Sequence, residues 1–306
     1  MNYIENIEII LVNDYSSDNT SLVIKDLQKN DVRIKIMNNK INKGTLYSRC
    51  IGVLSAVGGY IFHLDSDDMF LDKDIFSTMI NITFIGNFDF VSFKAISTYS
   101  SKNILNNTIK EHKMANSNSN RILFQPELGL YPIKPAKKLG YYKVNDNFLW
   151  NKCIKTSVYR KVLDKITEKR YSRYMVYEED RLIVYLLFNV ADSMKYLEKY
   201  GILSITRKGS ITRRRHKKSK KYFISILYFV DIIIDLSKNS TNNRKILVYL
   251  MTYLLTLLKF NNFRSYKEYD KKLLISCLYR IISDKHVSNL DKEKLIEWVL
   301  SSPFKK

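Results

Sequence analysis

The chain has 306 residues, 45% of them apolar, and a formal net charge of +21. That length and apolar content suffice for one large domain or for a catalytic domain with a smaller appendage, and they exclude a wholly disordered chain. The excess of Lys and Arg favours anionic partners such as nucleotide diphosphates, nucleic acid or an acidic membrane surface, and does not choose among them.

Cys50, Cys153 and Cys277 are far apart and odd in number, so neither a disulfide framework nor a zinc site is expected, and a reducing compartment fits. Met1 to Glu8 has no basic-then-apolar signal pattern. The longest apolar run, Ile246 to Leu258, falls short of the roughly 20 residues that span a bilayer. A cytoplasmic location is expected, with peripheral contact to an acidic membrane left open.

In chain order, Ile7 to Val12 is a short continuous apolar run ending at Asn13 and Asp14, the pattern of a buried parallel strand. Ser16, Ser17, Asp18 and Asn19 then offer caps for a helix whose apolar positions are Leu22, Val23, Ile24 and Leu27. Val32 to Met37 is predicted as a second strand, Leu46 to Val57 as a second helix and Tyr60 to Leu64 as a third strand. Such alternation predicts a doubly wound sheet with ligands at the carboxyl ends of its strands, where both acidic loops lie. Ala95 to Tyr142 is expected to be irregular or inserted. Leu149 to Leu163 and Asp180 to Ala191 are predicted helical, and Met194 to Leu203 extended. After Lys220, helical apolar spacing recurs in Tyr222 to Leu236, Lys245 to Phe260, Tyr269 to Ser283 and Asp291 to Leu300.

Three clusters could carry chemistry. His63-Leu64-Asp65-Ser66-Asp67-Asp68 follows a strand, and carboxylates packed so closely suit a magnesium or manganese ion that also holds a diphosphate. Its plain alternative is a solvated acidic turn. The loop Asn13 to Thr20 could place Asp14 against a nucleobase beside a helix N-terminus that favours anions, or could simply cap that helix. Tyr177-Glu178-Glu179-Asp180-Arg181 could offer a carboxylate that takes a proton from an attacking hydroxyl, or merely complement a helix dipole.

Taken together, six motifs in order, NDYSSDNT at Asn13 to Thr20, NKG at Asn42 to Gly44, DSDD at Asp65 to Asp68, WNK at Trp150 to Lys152, EED at Glu178 to Asp180 and GSIT at Gly209 to Thr212, resemble the pattern of a family 2 glycosyltransferase. The resemblance runs from about Ile7 to Thr212. It implies a GT-A fold: an α/β, Rossmann-like, mostly parallel sheet over residues 1–215, with residues 216–306 as an all-helical C-terminal appendage.

It further implies an inverting transfer of sugar from a nucleoside-diphosphate sugar, with UDP as the expected carrier, to an acceptor hydroxyl on a glycan, lipid or protein. Carried over by position, Asp14 contacts the base, Asp65 and Asp67 hold the ribose, metal and diphosphate, and Asp180 is the general base with Glu179 as its alternate. Asp67 is the main ligand of a Mn2+ or Mg2+ ion. Ser17, Asp18, Lys43, Arg49 and Ser66 join the nucleotide-sugar side, and Arg213, within the basic run Arg207 to Lys221, is placed to close over phosphate.

Two departures stand out. Asn13 and Tyr15 replace the family's Asp and Gly, and tyrosine tolerates positive φ poorly, so this loop is expected to take a different backbone path. The family's opening strand and helix are expected to be missing, leaving an open edge beside Ile7 to Val12. A catalytically inactive glycosyltransferase-like protein and a basic nucleic-acid-binding protein are the rival readings, although no familiar nucleic-acid-binding motif is present.

Overall fold

The computed structural model describes residues 6–71, 74–99, 120–124, 148–166, 175–206 and 220–237, with single positions between 272 and 293. Contacts divide the chain into two units, residues 1–131 with 140–217, and residues 132–139 with 218–306.

The first unit opens with β1 (Ile9–Asn13), α1 (Thr20–Asn30), β2 (Ile34–Asn38), α2 (Thr45–Ser55) and β3 (Tyr60–Phe62). These are the five elements predicted from local pattern; the three strands and α2 have ends within two residues of expectation, and α1 spans the predicted apolar positions Leu22 to Leu27. β1 and β2 form a parallel pair from Ile9 opposite Ile34 to Asn13 opposite Asn38. Among the described residues β1 pairs with no other strand. Glu8 fastens the base of this pair to the turn before β3: its Oε1 accepts from the amides of Val57 and Gly58, each at 2.7 Å, and its Oε2 accepts from Lys35 Nζ at 2.7 Å.

A second sheet contains β3, β4 (Met69–Phe70), β5 (Phe90–Tyr99), β6 (Asn120–Phe124), β7 (Lys152–Lys155) and β8 (Ser193–Thr206). Its order is β3-β7-β5-β8-β4, with β6 also on β8. β5 and β8 run parallel, whereas β7 is antiparallel to both its neighbours, and β4 and β6 are antiparallel to β8. The helices α3 (Ile75–Gly86), α4 (Thr156–Lys165) and α5 (Glu179–Val190) complete the unit.

The core lies where α3 meets the sheet. Ile75, Met79, Val91, Phe93, Cys153 and Ile202 are wholly enclosed there, with Trp150 stacked on Phe148 at 4.8 Å. Gly201 lies in this wall because a Cβ would stand 2.7 Å from side-chain carbons of both Ile75 and Phe93. α5 is buried over most of its circumference, from Leu182 to Phe188, so its start is held firmly.

Two expectations require correction. Leu149 to Leu163 is not one helix: Lys152–Lys155 is a strand gripped between β3 and β5, and only Thr156–Lys165 is helical. The expected irregular stretch begins too early, since Ala95 to Tyr99 continues β5 and 120–124 forms β6.

In the second unit, α6 (Lys220–Ser237) buries Tyr222, Ile226, Phe229, Val230, Ile232 and Ile233. Residues 272, 275, 276, 279, 280 and 282 are also helical, and Arg280 pairs with Asp231. Among the described residues no helix is long and apolar enough to cross a membrane.

Candidate functional site

Asp14 stands where β1 gives way to its loop, and its carboxylate organises the segment after β2. Oδ1 accepts from Asn39 Nδ2 at 2.8 Å and from the Lys43 amide at 2.8 Å, while Oδ2 accepts from the Gly44 amide at 2.7 Å. Gly44 has φ +86, and a Cβ there would meet the carbonyl oxygen of Met175 at 2.8 Å. Only glycine permits both that angle and that approach. The same carbonyl accepts from Thr45 Oγ1 and from the Leu46 amide, each at 3.2 Å, so the N-terminus of α2 is seated on the chain just before α5.

Asn13 is buried and fully employed as an amide. Its Nδ2 donates to Ser21 Oγ at 2.9 Å and to Asn38 Oδ1 at 3.2 Å, and its Oδ1 accepts from the Ser16 amide at 3.0 Å. An Asp could not supply those donors. Tyr15, two residues on, has φ +60, so the expectation that tyrosine would steer the loop away from positive φ does not hold. The residue accepts the left-handed conformation at a cost of about 1–2 kcal/mol. Asp18 accepts from the amide of Thr20 at 3.0 Å and from its hydroxyl, bonds that lower its pKa. It thus holds the first residue of α1 from just outside the helix, whose N-cap is Asn19, while Ser17 beside it is exposed.

The acidic loop after β3 has two parts. Asp68 accepts from the Ile205 amide at 3.0 Å, which ties the loop to β8, and burial beside Asp65 and Asp67 pushes its pKa up to about 6. Asp65 instead faces inward to α2, where its Oδ1 accepts from Arg49 Nη2 at 2.9 Å. Asp67 is partly buried and Ser66 exposed.

Arg49 is the centre of the arrangement. The same Nη2 that binds Asp65 lies 3.0 Å from Asp180 Oδ1 and 3.9 Å from Glu179 Oε1. Residues 65 and 180, remote in sequence, therefore share one guanidinium nitrogen. Burial disfavours the charged guanidinium, yet Asp180, Asp65 and Glu179 together hold its pKa above the ordinary value. Burial also raises the pKa of Glu179, helped by Asp180, and that of Asp180, where Arg49 opposes the rise. Enclosed carboxylates of this kind can exchange protons nearer neutrality than exposed ones.

Glu178, the residue before α5, has φ +64 and accepts from Arg181 Nε at 2.7 Å. A left-handed residue here sets the angle at which Glu179 and Asp180 approach Arg49.

Lys152 was missed as a site residue. It is wholly buried, its Nζ donates to the Phe148 carbonyl at 2.8 Å and to Asn151 Oδ1 at 2.9 Å, and its charge favours ionised Asp180. The WNK motif was its signal in the sequence, but nothing there revealed that the lysine turns inward. Trp150 belongs to the core. Lys43 rests over the Tyr47 ring at 5.6 Å. Arg213 and the GSIT motif lie outside the described residues.

Among the described residues no group of three or more His, Cys, Asp or Glu side chains is arranged to hold a metal. The carboxylates of Asp65 and Asp67 are hard oxygen donors, the ligand type that magnesium and manganese prefer, although Asp65 Oδ1 is engaged by Arg49 here.

Residues 2–131 match the family described as Glycosyl transferase family 2. These residues belong to that family. The glycosyltransferase region is 43% identical over 65 residues to an uncharacterized glycosyltransferase of Haemophilus influenzae, covering 21% of this chain and 20% of that one. It is 24% identical over 236 residues to the processive diacylglycerol beta-glycosyltransferase of Mycoplasma genitalium, covering 76% of this chain and 64% of that one. A UDP-Glc:alpha-D-GlcNAc-diphosphoundecaprenol beta-1,3-glucosyltransferase of Escherichia coli shares 35% identity over 97 residues, covering 30% and 38%. These matches thus span less than two thirds of each relative.

Among solved structures, Staphylococcus aureus TarS residues 1–349 in complex with UDP-GlcNAc superposes with a TM-score of 0.61 at 15% identity, covering 95% of this chain and 74% of that one. The complex of the same protein with UDP gives 0.58 at 13% identity, covering 96% and 78%. The glycosyltransferase fold is therefore GT-A.

Proposed function

We propose that the chain is an inverting, divalent-metal-dependent glycosyltransferase that moves a sugar from a nucleoside-diphosphate sugar, with UDP as leaving group, to an acceptor hydroxyl. The observation that carries this reading is the meeting of Asp65 and Asp180 on Arg49 Nη2, which brings a carboxylate of the expected donor side and a candidate base together on one largely buried guanidinium. The TarS complexes with UDP-GlcNAc and UDP support the choice of nucleotide.

On this reading the loop built by Asp14, with Ser17, Asp18 and Lys43, borders the nucleoside, and Asp65 and Ser66 face the ribose and diphosphate. Asp67, with Asp65, would hold the metal, which when bound neutralises charge on the departing diphosphate. Asp180 takes the proton from the acceptor hydroxyl as its oxygen bonds to the anomeric carbon and the bond to the diphosphate breaks on the opposite face. Glu179 stands as the alternate base, and Arg213 as a phosphate contact. Two relatives are named for diacylglycerol and diphosphoundecaprenol acceptors, which favours a lipid-linked acceptor and contact with an acidic membrane.

The test is a thermal shift of the purified chain with UDP, GDP and CDP, each with and without manganese. Stabilisation by UDP only when manganese is present, lost in Asp67→Ala, is expected. No shift with any nucleotide would reject a working donor site.

A further inference from the structure

Among the described residues, four of the five buried side-chain polar atoms without a hydrogen-bond partner are Arg49 Nε, His63 Nε2, Tyr159 Oη and Asp180 Oδ1. They belong to α2, the segment leaving β3, α4 and α5. The His63 and Tyr159 rings lie 5.4 Å apart at 59°. The Tyr159 hydroxyl is within electrostatic reach of both the Arg49 guanidinium and Asp180. Buried polar atoms are nearly always paired, so a concentration of unpaired ones beneath a charged cleft calls for a reason.

Arg49 supplies one. Its Nη2 serves Asp65 and Asp180 at nearly equal distance, 2.9 Å and 3.0 Å, but only the first contact has hydrogen-bond geometry. Whatever draws Asp65 outward loosens its hold and leaves the guanidinium to Asp180 and Glu179. The phenol oxygen of Tyr159 and the imidazole nitrogen of His63, both within electrostatic reach of the guanidinium, can each accept an N–H bond, which offers it a second resting place. A planar fork on a long stem can pivot between such partners while keeping its charge.

We propose that Arg49 is a positioning residue that couples the donor side of the cleft to the acceptor side, with Tyr159 and His63 as the layer against which it turns. What each side does rests on the glycosyltransferase reading, whereas the coupling belongs to the ligand-free chain. Engagement of Asp65 by a donor releases Arg49 toward Asp180, so the base is set only when a donor is present.

The first test needs no ligand. Arg49→Met, Asp180→Asn and the double variant of the full chain are compared by calorimetry. Arg49→Met leaves three acids facing one another and is expected to lower Tm by about 5 °C or more. Asp180→Asn in that background is expected to recover most of the loss. Simple addition of the two single effects would overturn the coupling through Arg49. If Arg49→Met does not fold, Arg49→Lys replaces it and is judged by the same comparison.

The second test reads UDP affinity with manganese and UDP release from UDP-GlcNAc. Tyr159→Phe is expected to keep UDP affinity within about threefold while slowing release about tenfold or more, and a loss shared equally by both, or no slowing, would reject the positioning role. If the unaltered chain neither binds UDP nor releases it, the glycosyltransferase reading fails, while the calorimetric comparison still decides the coupling.

Discussion

The two acidic corners of the cleft satisfy their charges in opposite ways. At the end of β1, Asp14 is surrounded by neutral donors from its own chain, two backbone amides and one side-chain amide, all within 2.8 Å. At Arg49, three carboxylates share one cation, and atoms beside it lack hydrogen bonds. Hydrogen bonds from fixed amides make a rigid scaffold that is complete without a ligand. A cation shared among acids is sensitive to whatever charge arrives next, because such interactions strengthen as water is excluded. The first corner therefore shapes the cleft, and the second is where chemistry is expected.

That contrast can be broken most sharply at Asp180. Asp180→Asn should reduce turnover by about 100- to 10,000-fold while leaving UDP affinity nearly unchanged, as kinetics and a binding titration on one preparation would show. Loss of UDP affinity to the same degree would move Asp180 to the donor side.

At the scaffold corner the expected effect is on folding. Asp14→Asn leaves one acceptor oxygen where two serve three donors, and turns an amide toward the Lys43 or Gly44 N–H. A loss of about 1–3 kcal/mol in chemical denaturation is expected, because a buried donor is left unpaired. An unchanged midpoint would mean that the segment 39–44 is held by something else.

A smaller effect concerns pH. The Asp68 carboxyl has a folded pKa of about 6 against an ordinary 3.8, so the folded chain binds the proton more tightly than the unfolded one. Its contribution is complete below pH 3.8 and is lost as pH rises to about 6. In metal-free buffer, Tm should carry a falling component across that window, and Asp68→Asn should remove it. The smallest effect belongs to Tyr15, where Tyr15→Gly should stabilise the chain by about 1 kcal/mol by relieving the left-handed backbone, offset in part by the entropy of glycine.

The sequence made the opening half of the glycosyltransferase domain legible because its signals are local. The run Ile7 to Val12, and the caps at Ser16 to Asn19 followed by Leu22, Val23, Ile24 and Leu27, mark strand and helix without reference to the rest of the chain. Lys152–Lys155 failed that test because its extended form comes from β3 and β5, which are distant in sequence. α3 was passed over because Ile75 to Gly86 carries apolar residues on its exposed side as well as its buried one, Phe84 and Ile85 facing outward while Ile75 and Met79 face in, so no single apolar stripe reveals its period. The acidic motifs were visible as residue types in a recognisable order. Their convergence on Arg49 was not, because no spacing in the chain records that α2 and α5 meet.

The seat of Gly44 on Met175 gives the site a fixed gauge length. Met175 lies five residues before Asp180, and its carbonyl touches the loop that Asp14 shapes. The thickness of a single missing methyl group thus sets the spacing between the loop at the end of β1 and the carboxylates that open α5. A side chain at position 44 would act as a shim, and its error would be transmitted along the short tether to Asp180.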